Sequence, residues 1–525
     1  MHWSSFELLA REMSFTRRSP FPLATMELDK RAGTHVDATL SQRFTETSLM
    51  DKGRDLAEHC VEFGRGLGAQ YVEARYQSQL ARALVYRNGA PVAGGVQPSV
   101  GIGVRLLVDG RMGFASFDRL DRGLADDAMT AAFRMAQNSP RKKPIDLGPP
   151  VVNKGKWTVK MRESLLDVDT DTLMGLAQEI NEQGKGLQSF TVILNPTDTT
   201  KYFVTSEGTQ LDGHLSHLFI NTLITAEGAK GSEQRYLDFT QSGGWERVKE
   251  GRVVEQIADE IRRVKEVADK AEKLPELLNQ PVDMVVGPEV AGIISHENVG
   301  HPSEGDRILG REGAQAGESF WRDLQIGKSR VGSDAVNVSD DPTLPNTGGF
   351  YLYDDEGVKA RKRRLIKNGV TNEPLLNREF GVRFGMASNG AARAVTYNRE
   401  PIIRMANTFF EPGDYSLEEI FEDIKLGVYM RSFGEWNIDD RRYQSKYTGT
   451  EAYLVKDGKV TETMVRHPVM ETTSVGLLTA ADAVTKNLSL AFPATCGKGD
   501  PAQGVPVYAG GGEVRFRAIR LGGVG

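Results

Sequence analysis

The sequence predicts an α+β protein: an N-terminal α/β domain with an antiparallel sheet and helices, then a C-terminal, mainly β domain that carries one short buried helix. Three observations predict it. Asn88-Gly89 and Asp109-Gly110 each separate segments of apolar alternation, the strongest short signal of a β-hairpin. Helical periodicity then returns after runs of strands, the order of an α+β domain. Beyond Asn279-Gln-Pro281 the chain turns to short strands and Gly-rich connections, broken by one helical segment at 287–302.

At 525 residues the chain exceeds what one hydrophobic core supports, and the sequence divides into three parts. Residues 1–50 mix acidic and basic side chains without sustained periodicity and are expected to be a disordered extension or a misassigned start, with Met50 as the alternative start. Residues 51–279 form the N-terminal domain. A helix over 51–66 carries Leu56, Cys60, Phe63 and Leu67 on one stripe, which makes Cys60 a core residue. Strands follow at 71–76, 81–86, 100–107 and 112–117, then at 190–194, 202–206 and 214–226, with helices over 124–137, 165–182 and 253–274. Residues 280–525 form the C-terminal domain, with strands at 335–339, 349–353, 451–455, 458–461 and 505–508 and a hairpin turn at Asp457-Gly458.

Composition excludes several functions. Lys and Arg number 65 against 71 Asp and Glu, a net charge of −6, so there is no basic footprint for nucleic acid or anionic lipid. No segment approaches the roughly 18 consecutive apolar residues of a membrane span. Two cysteines form no disulfide framework and suit a reducing compartment. Arg17-Arg18 lacks the apolar stretch that an export signal needs after it, so the expected location is cytoplasmic.

The chemistry concentrates in Gly287-Pro-Glu-Val-Ala-Gly-Ile-Ile-Ser-His296-Glu297-Asn-Val-Gly-His301-Pro302. Pro288 suits a first helical turn, and Val290, Ile293 and Ile294 set an apolar stripe. Glu297 and His301 fall within that stripe and His296 at its edge. Burying two imidazoles and a carboxylate without partners costs several kcal/mol, and a metal ion would offset it. In the zincin pattern the histidines stand four apart, on one helix face, with the intervening Glu as base. Here they stand five apart, which splays the rings by about 140° on an ideal helix. Joint ligation therefore requires a π-type bulge or an unwound turn, and Gly300 is the residue expected to tolerate it. Tetrahedral zinc then needs a third protein ligand and an open position. The candidate is Cys496, in the Gly-rich Ala494-Thr-Cys496-Gly-Lys-Gly-Asp500, where a thiol has little core to fill. His214 and His217 sit at odd spacing on a strand, with their rings on opposite faces.

The segment from His296 to His301, followed by Glu304-Gly-Asp306, resembles the metal-site signature of the TldD/PmbA metalloprotease family, also called the modulator of DNA gyrase family. Asp354-Asp355-Glu356-Gly357, Pro401-Ile-Ile-Arg404-Met405-Ala-Asn407-Thr408 and Cys496-Gly497-Lys498 add to it. The resemblance runs from Asp51 to the end and is strongest after residue 285; a start at Met50 would bring the chain nearer the family's size. It implies a TldD-like catalytic subunit with one Zn2+ per chain held by His296, His301 and Cys496, with Glu297 as the general base that activates a zinc-bound water. It also implies unfolded or extended peptides as substrates and a PmbA/TldE-like partner subunit, or a homodimer. Glu304, Asp306 and Asp355 are candidates to orient the histidine rings, and equally for solvated loop carboxylates. Arg404 and Asn407 are candidates to bind substrate backbone, and strand edges in the C-terminal half to accept a peptide as an added strand. The alternatives are a non-catalytic peptide-binding or partner subunit, with a structural metal or none, and a direct effector of gyrase.

Overall fold

The computed structural model describes residues 38–140, 143–310, 317–499 and 502–523. The expectations for residues 1–37, Arg17-Arg18 included, lie outside the described residues. The described residues from Asp51 onward form one compact unit. The first described helix is Ala38–Gly66, beginning before the expected residue 51. Within it Leu56 and Cys60 are buried, and burial pushes the Cys60 thiol up to about 12, which leaves it an inert core group.

The large N-terminal sheet grows from the two expected hairpins. Tyr71–Arg87 pairs antiparallel with Ala90–Val108 through Asn88-Gly89, at φ 49° and 87°. Ala90–Val108 pairs in turn with Arg111–Phe117 through Asp109-Gly110, at φ 47° and 70°. The strands expected at 71–76 and 81–86 are one strand, because Gln77–Leu80 is bonded on both sides, to Ala90–Val108 and to Ser189–Thr205. Ser189–Thr205 likewise joins two expected strands across Pro196. The proline sits where pairing with Tyr71–Arg87 is interrupted between Leu194 and Thr197, so its missing N–H costs that ladder nothing. Gln210–Gly228 completes the long hairpin, and the sheet order is Arg111–Phe117, Ala90–Val108, Tyr71–Arg87, Ser189–Thr205, Gln210–Gly228, Lys154–Thr158.

Three helices support this sheet. Asp121 caps Arg122–Asn138 by accepting from Leu124 N, and Asp169 caps Thr170–Gln183 by accepting from Thr172 N. That cap explains why the second helix starts at Thr170 rather than 165; Leu165 is buried in the preceding loop. Val253–Lys270 packs Ile257, Ile261 and Val264 with Leu176 and Ile180 against Val192, Leu194, Ile220 and Ile224.

Among the described residues the C-terminal half contains two six-stranded sheets, a four-stranded one and the short pair Ala392–Arg393 and Ile402–Ile403. One runs Lys459–Met464, Ala452–Lys456, Leu426–Met430, Val282–Val286, Val514–Ile519, Ala481–Val484. The other runs Val370–Thr371, Arg363–Lys367, Val338–Asp340, Asn407–Phe410, Gln503–Gly511, Ser489–Lys498. The third is Phe433–Ile438, Gln444–Gly449, Pro468–Thr473, Leu521–Gly523. The strand expected at 349–353 is not formed: Phe350 N–H closes a turn on Thr347 O, and only Tyr353 makes an isolated bridge. Helix Pro288–Ser295 leaves the end of Val282–Val286 and lies on Gln503–Gly511. A Cβ on Gly292 would stand 2.9 Å from Gly510 N, so glycine permits this approach of helix to sheet. No described helix is long and apolar enough to cross a membrane.

Buried ion pairs tie the N-terminal sheet to the later half. Arg105 Nε donates to Glu73 Oε1 at 2.9 Å and its Nη2 to Glu356 Oε1 at 2.8 Å, with all three side chains buried. Arg105→Met is expected to leave two buried carboxylates short of a partner and to cost about 3–5 kcal/mol. The midpoint of urea unfolding measures it; an unshifted midpoint would remove this tie from the account.

Candidate metal centre

After Ser295 the helix widens. His296–Gly300 is a π-helical turn, closed by the His301 N–H donating to His296 O, and a 3-10 turn His301–Ser303 follows. The wider turn brings residues five apart into line, as the spacing requires. The two imidazole centroids lie 4.9 Å apart with planes at 82°. Gly300 acts differently from the expectation. Its backbone is ordinary right-handed helix, φ −58° and ψ −63°, so no conformational licence is used. A Cβ there would instead fall 2.0 Å from Met405 Sδ. Packing demands the glycine. Asn298, in the middle of the turn, is pinned by the four-stranded sheet and by the helix Ser474–Ala480 that follows it: its Nδ2 donates to Ser445 Oγ at 3.1 Å and Ser474 Oγ at 2.8 Å, and Tyr447 OH donates to its Oδ1.

Cys496 arrives on the edge strand Ser489–Lys498. Its Sγ lies 3.4 Å from His301 Nε2, and one ligand atom each from His296, His301 and Cys496 lie within 4.8 Å of one another. Zinc with bonds of about 2.0–2.1 Å to nitrogen and 2.3 Å to sulfur separates its tetrahedral ligands by roughly 3.3–3.6 Å, which the His301–Cys496 contact matches. His296 Nδ1 is buried with no hydrogen-bond partner among the described residues, an orphan that a cation would satisfy. Burial opposes ionising Cys496, but His301, His296 and Arg404 outweigh it and hold the thiol well below its usual range. Donor set, spacing and electrostatics fit a metal ion.

Glu297 is held from the four-stranded sheet: Trp436 Nε1 donates to its Oε1 at 3.1 Å and Arg442 Nη1 to its Oε2 at 2.5 Å. Burial opposes ionisation here too, and Arg442 with the two imidazoles overcomes it, leaving the carboxyl below its usual range. Glu304 Oε2 accepts from His301 Nδ1 at 3.0 Å and from Arg307 Nε at 2.8 Å, which leaves His301 Nε2 turned to Cys496. Asp306 touches neither histidine. Both its oxygens take Lys498 Nζ at 2.8 Å, and that ammonium also lies 3.3 Å from Glu304. Asp355 is elsewhere, bonded to Lys201 Nζ at 3.0 Å and Ala394 N at 2.8 Å. Arg404 is fully buried and donates to the carbonyls of Cys496 and, at 2.6 Å, Gln503. Asn407, also fully buried, donates to Asp341 O at 2.6 Å. Both hold the protein's own backbone rather than presenting donors to a ligand. His214 pairs with Asp198 at 2.9 Å and His217 with Gly348 O at 3.2 Å, away from any thiol. Sequence reasoning missed Asn298, Trp436, Arg442 and Ser474; of these only Asn298 lay inside the motif.

A buried His, His and Cys around one point, beside a carboxylate held below its usual range, form a candidate metal centre. Residues 279–523 match the family model of the PmbA/TldA metallopeptidase C-terminal domain, and residues 72–138 that of PmbA/TldA metallopeptidase domain 1. A metalloprotease of Methanocaldococcus jannaschii is 29% identical over 419 residues, 79% of this chain and 89% of the relative. A zinc metalloprotease TldD homolog of Saccharolobus solfataricus is 26% identical over 464 residues, 87% and 97% of the two chains. In fold, TldE from Thermococcus kodakarensis superposes with a TM-score of 0.68 at 18% identity, over 89% of this chain and 100% of that one. A candidate modulator of DNA gyrase from Bacteroides thetaiotaomicron gives 0.70 at 16%, over 90% and 99%. The chain belongs to the PmbA/TldD metallopeptidase family.

Gly300→Ala is expected to force Met405 aside and to destabilise the protein by about 1–3 kcal/mol. Urea unfolding checks it, and a neutral result would mean that the contact relaxes freely.

Proposed function

We propose that the chain is a zinc-dependent peptidase acting on unfolded or extended peptides, with His296, His301 and Cys496 holding one zinc and Glu297 as general base. The observation that carries this is the number of ligands: among the described residues three converge, the count that a catalytic zinc uses, whereas a structural zinc is closed by four. Zinc, when bound, supplies Lewis acidity that polarises a carbonyl and makes water nucleophilic near neutral pH. Glu297, already ionised, takes the proton of the attacking water and hands a proton to the leaving amine. Glu304 fixes the ring of His301, and Arg404 fixes the backbone that carries Cys496.

Among the described residues the strand Ser489–Lys498 ends its sheet, with Gln503–Gly511 on one side only. A peptide added along its outer edge would be held through main-chain hydrogen bonds, which suits unfolded substrates because such bonds read no sequence. The fold shared with TldE supports a PmbA/TldE-like partner, with a second copy of this chain as the alternative; a cytoplasmic location accords with a chain of two cysteines, which suits a reducing compartment. A non-catalytic, gyrase-modulator role has in its favour the naming of a structural neighbour, and it would show as peptide binding without hydrolysis.

Glu297→Gln is expected to keep its zinc and lose at least about a hundredfold in peptide cleavage, read by mass-spectrometric mapping of cuts in an unstructured peptide. Cleavage at the wild-type rate would remove Glu297 as base. Cys496→Ser is expected to lower bound zinc, measured by elemental analysis after dialysis; undiminished zinc would remove Cys496 from the ligand set.

A further inference from the structure

The turn joining Phe433–Ile438 to Gln444–Gly449 differs from four of the chain's two-residue hairpin turns. Those at 88–89, 109–110, 368–369 and 457–458 all place Asn or Asp, then Gly, at positive φ. In the turn over 439–443 the residue at φ 58° is Arg442. Glycine there would be free of strain, so the chain accepts strain to keep this side chain.

The surroundings hold Arg442 from several sides. Its N–H donates to Asp439 O at 3.0 Å, and Asp439 Oδ1 accepts from Tyr443 N at 2.6 Å and Gln444 N at 3.1 Å. Ser474 Oγ donates to Arg442 O at 2.7 Å while accepting from Asn298, so one hydroxyl joins this turn to the π turn. The guanidinium, so placed, ends on Glu297 Oε2, and Trp436 from the same hairpin ends on Oε1. A carboxylate held at one oxygen can still swing about its last torsion; held at both, its plane is fixed.

We propose that Arg442 is a positioning residue for Glu297: with Trp436 it fixes the carboxylate plane, so that the remaining lone pairs keep one direction through proton transfer, and the strained turn serves that placement. The proposal rests on the peptidase reading above. Its test compares Arg442→Gly, Arg442→Lys and Glu297→Gln in the full-length, zinc-loaded chain. Arg442→Gly removes strain and guanidinium together. The expected result is full zinc content, a Tm that stays above the assay temperature although a buried carboxylate has lost its cation, and kcat lowered about ten- to a hundredfold with KM within about twofold. Arg442→Lys returns one donor and is expected to recover part of kcat. A crystal structure of Arg442→Gly is expected to show the Glu297 carboxylate in more than one orientation. Wild-type kcat in Arg442→Gly, a kcat loss accounted for by lost zinc or by unfolding at the assay temperature, or an unchanged Glu297 orientation overturns the proposal. Failure of the peptidase reading shows separately, as Glu297→Gln cleaving at the wild-type rate or as a wild-type chain without cleavage. In either case the orientation of Glu297 in the Arg442→Gly crystal still decides whether Arg442 positions it.

Discussion

The hydrogen bond from the His301 amide to the His296 carbonyl closes one wide turn, and the candidate centre depends on it. An α-helical register would point the second imidazole away from the first, leaving a buried polar ring without a partner and Cys496 without a neighbour. The wide turn is a local departure from helix that tertiary contacts must support. Asn298 supplies one such contact, through Ser445, Ser474 and Tyr447. The gap at Gly300 supplies another by letting Met405 close against the turn.

Around that turn the charges are arranged in successive contacts. Glu304 faces His301, Arg307 and Lys498 face Glu304, and Asp306 faces Lys498, so each buried charge meets its opposite. Arg404 does the same for the backbone, spanning the carbonyls of Cys496 and Gln503 across the hairpin that carries the thiol. The topology makes this possible. Gln503–Gly511 runs parallel to Asn407–Phe410 and antiparallel to Ser489–Lys498, and it lies beneath the helix that leads into the π turn. Residues 195 apart in sequence, His301 and Cys496, thereby meet.

Local patterns carried much of this. Asx-Gly turns located the hairpins, and the five-residue histidine spacing, set against an apolar stripe, demanded a distorted turn. Strand lengths were less legible, since a segment paired on both edges, such as Gln77–Leu80, needs no alternation of its own. Polar residues in an apolar run were ambiguous for another reason. Arg404 and Asn407 look like ligand-facing groups in sequence, but a buried donor serves a distant carbonyl of its own chain equally well. Asp355 sits in a family-like motif yet answers Lys201 of the N-terminal sheet, and Arg442 reaches Glu297 across 145 residues with no motif at all. Such pairings are set by topology, which periodicity does not encode.

X-ray absorption at the zinc edge of the metal-loaded chain tests the central claim most directly. The account predicts one sulfur at about 2.3 Å, two imidazole nitrogens at about 2.0–2.1 Å and one further light atom. A zinc shell without sulfur, or one closed by four protein ligands, would contradict it.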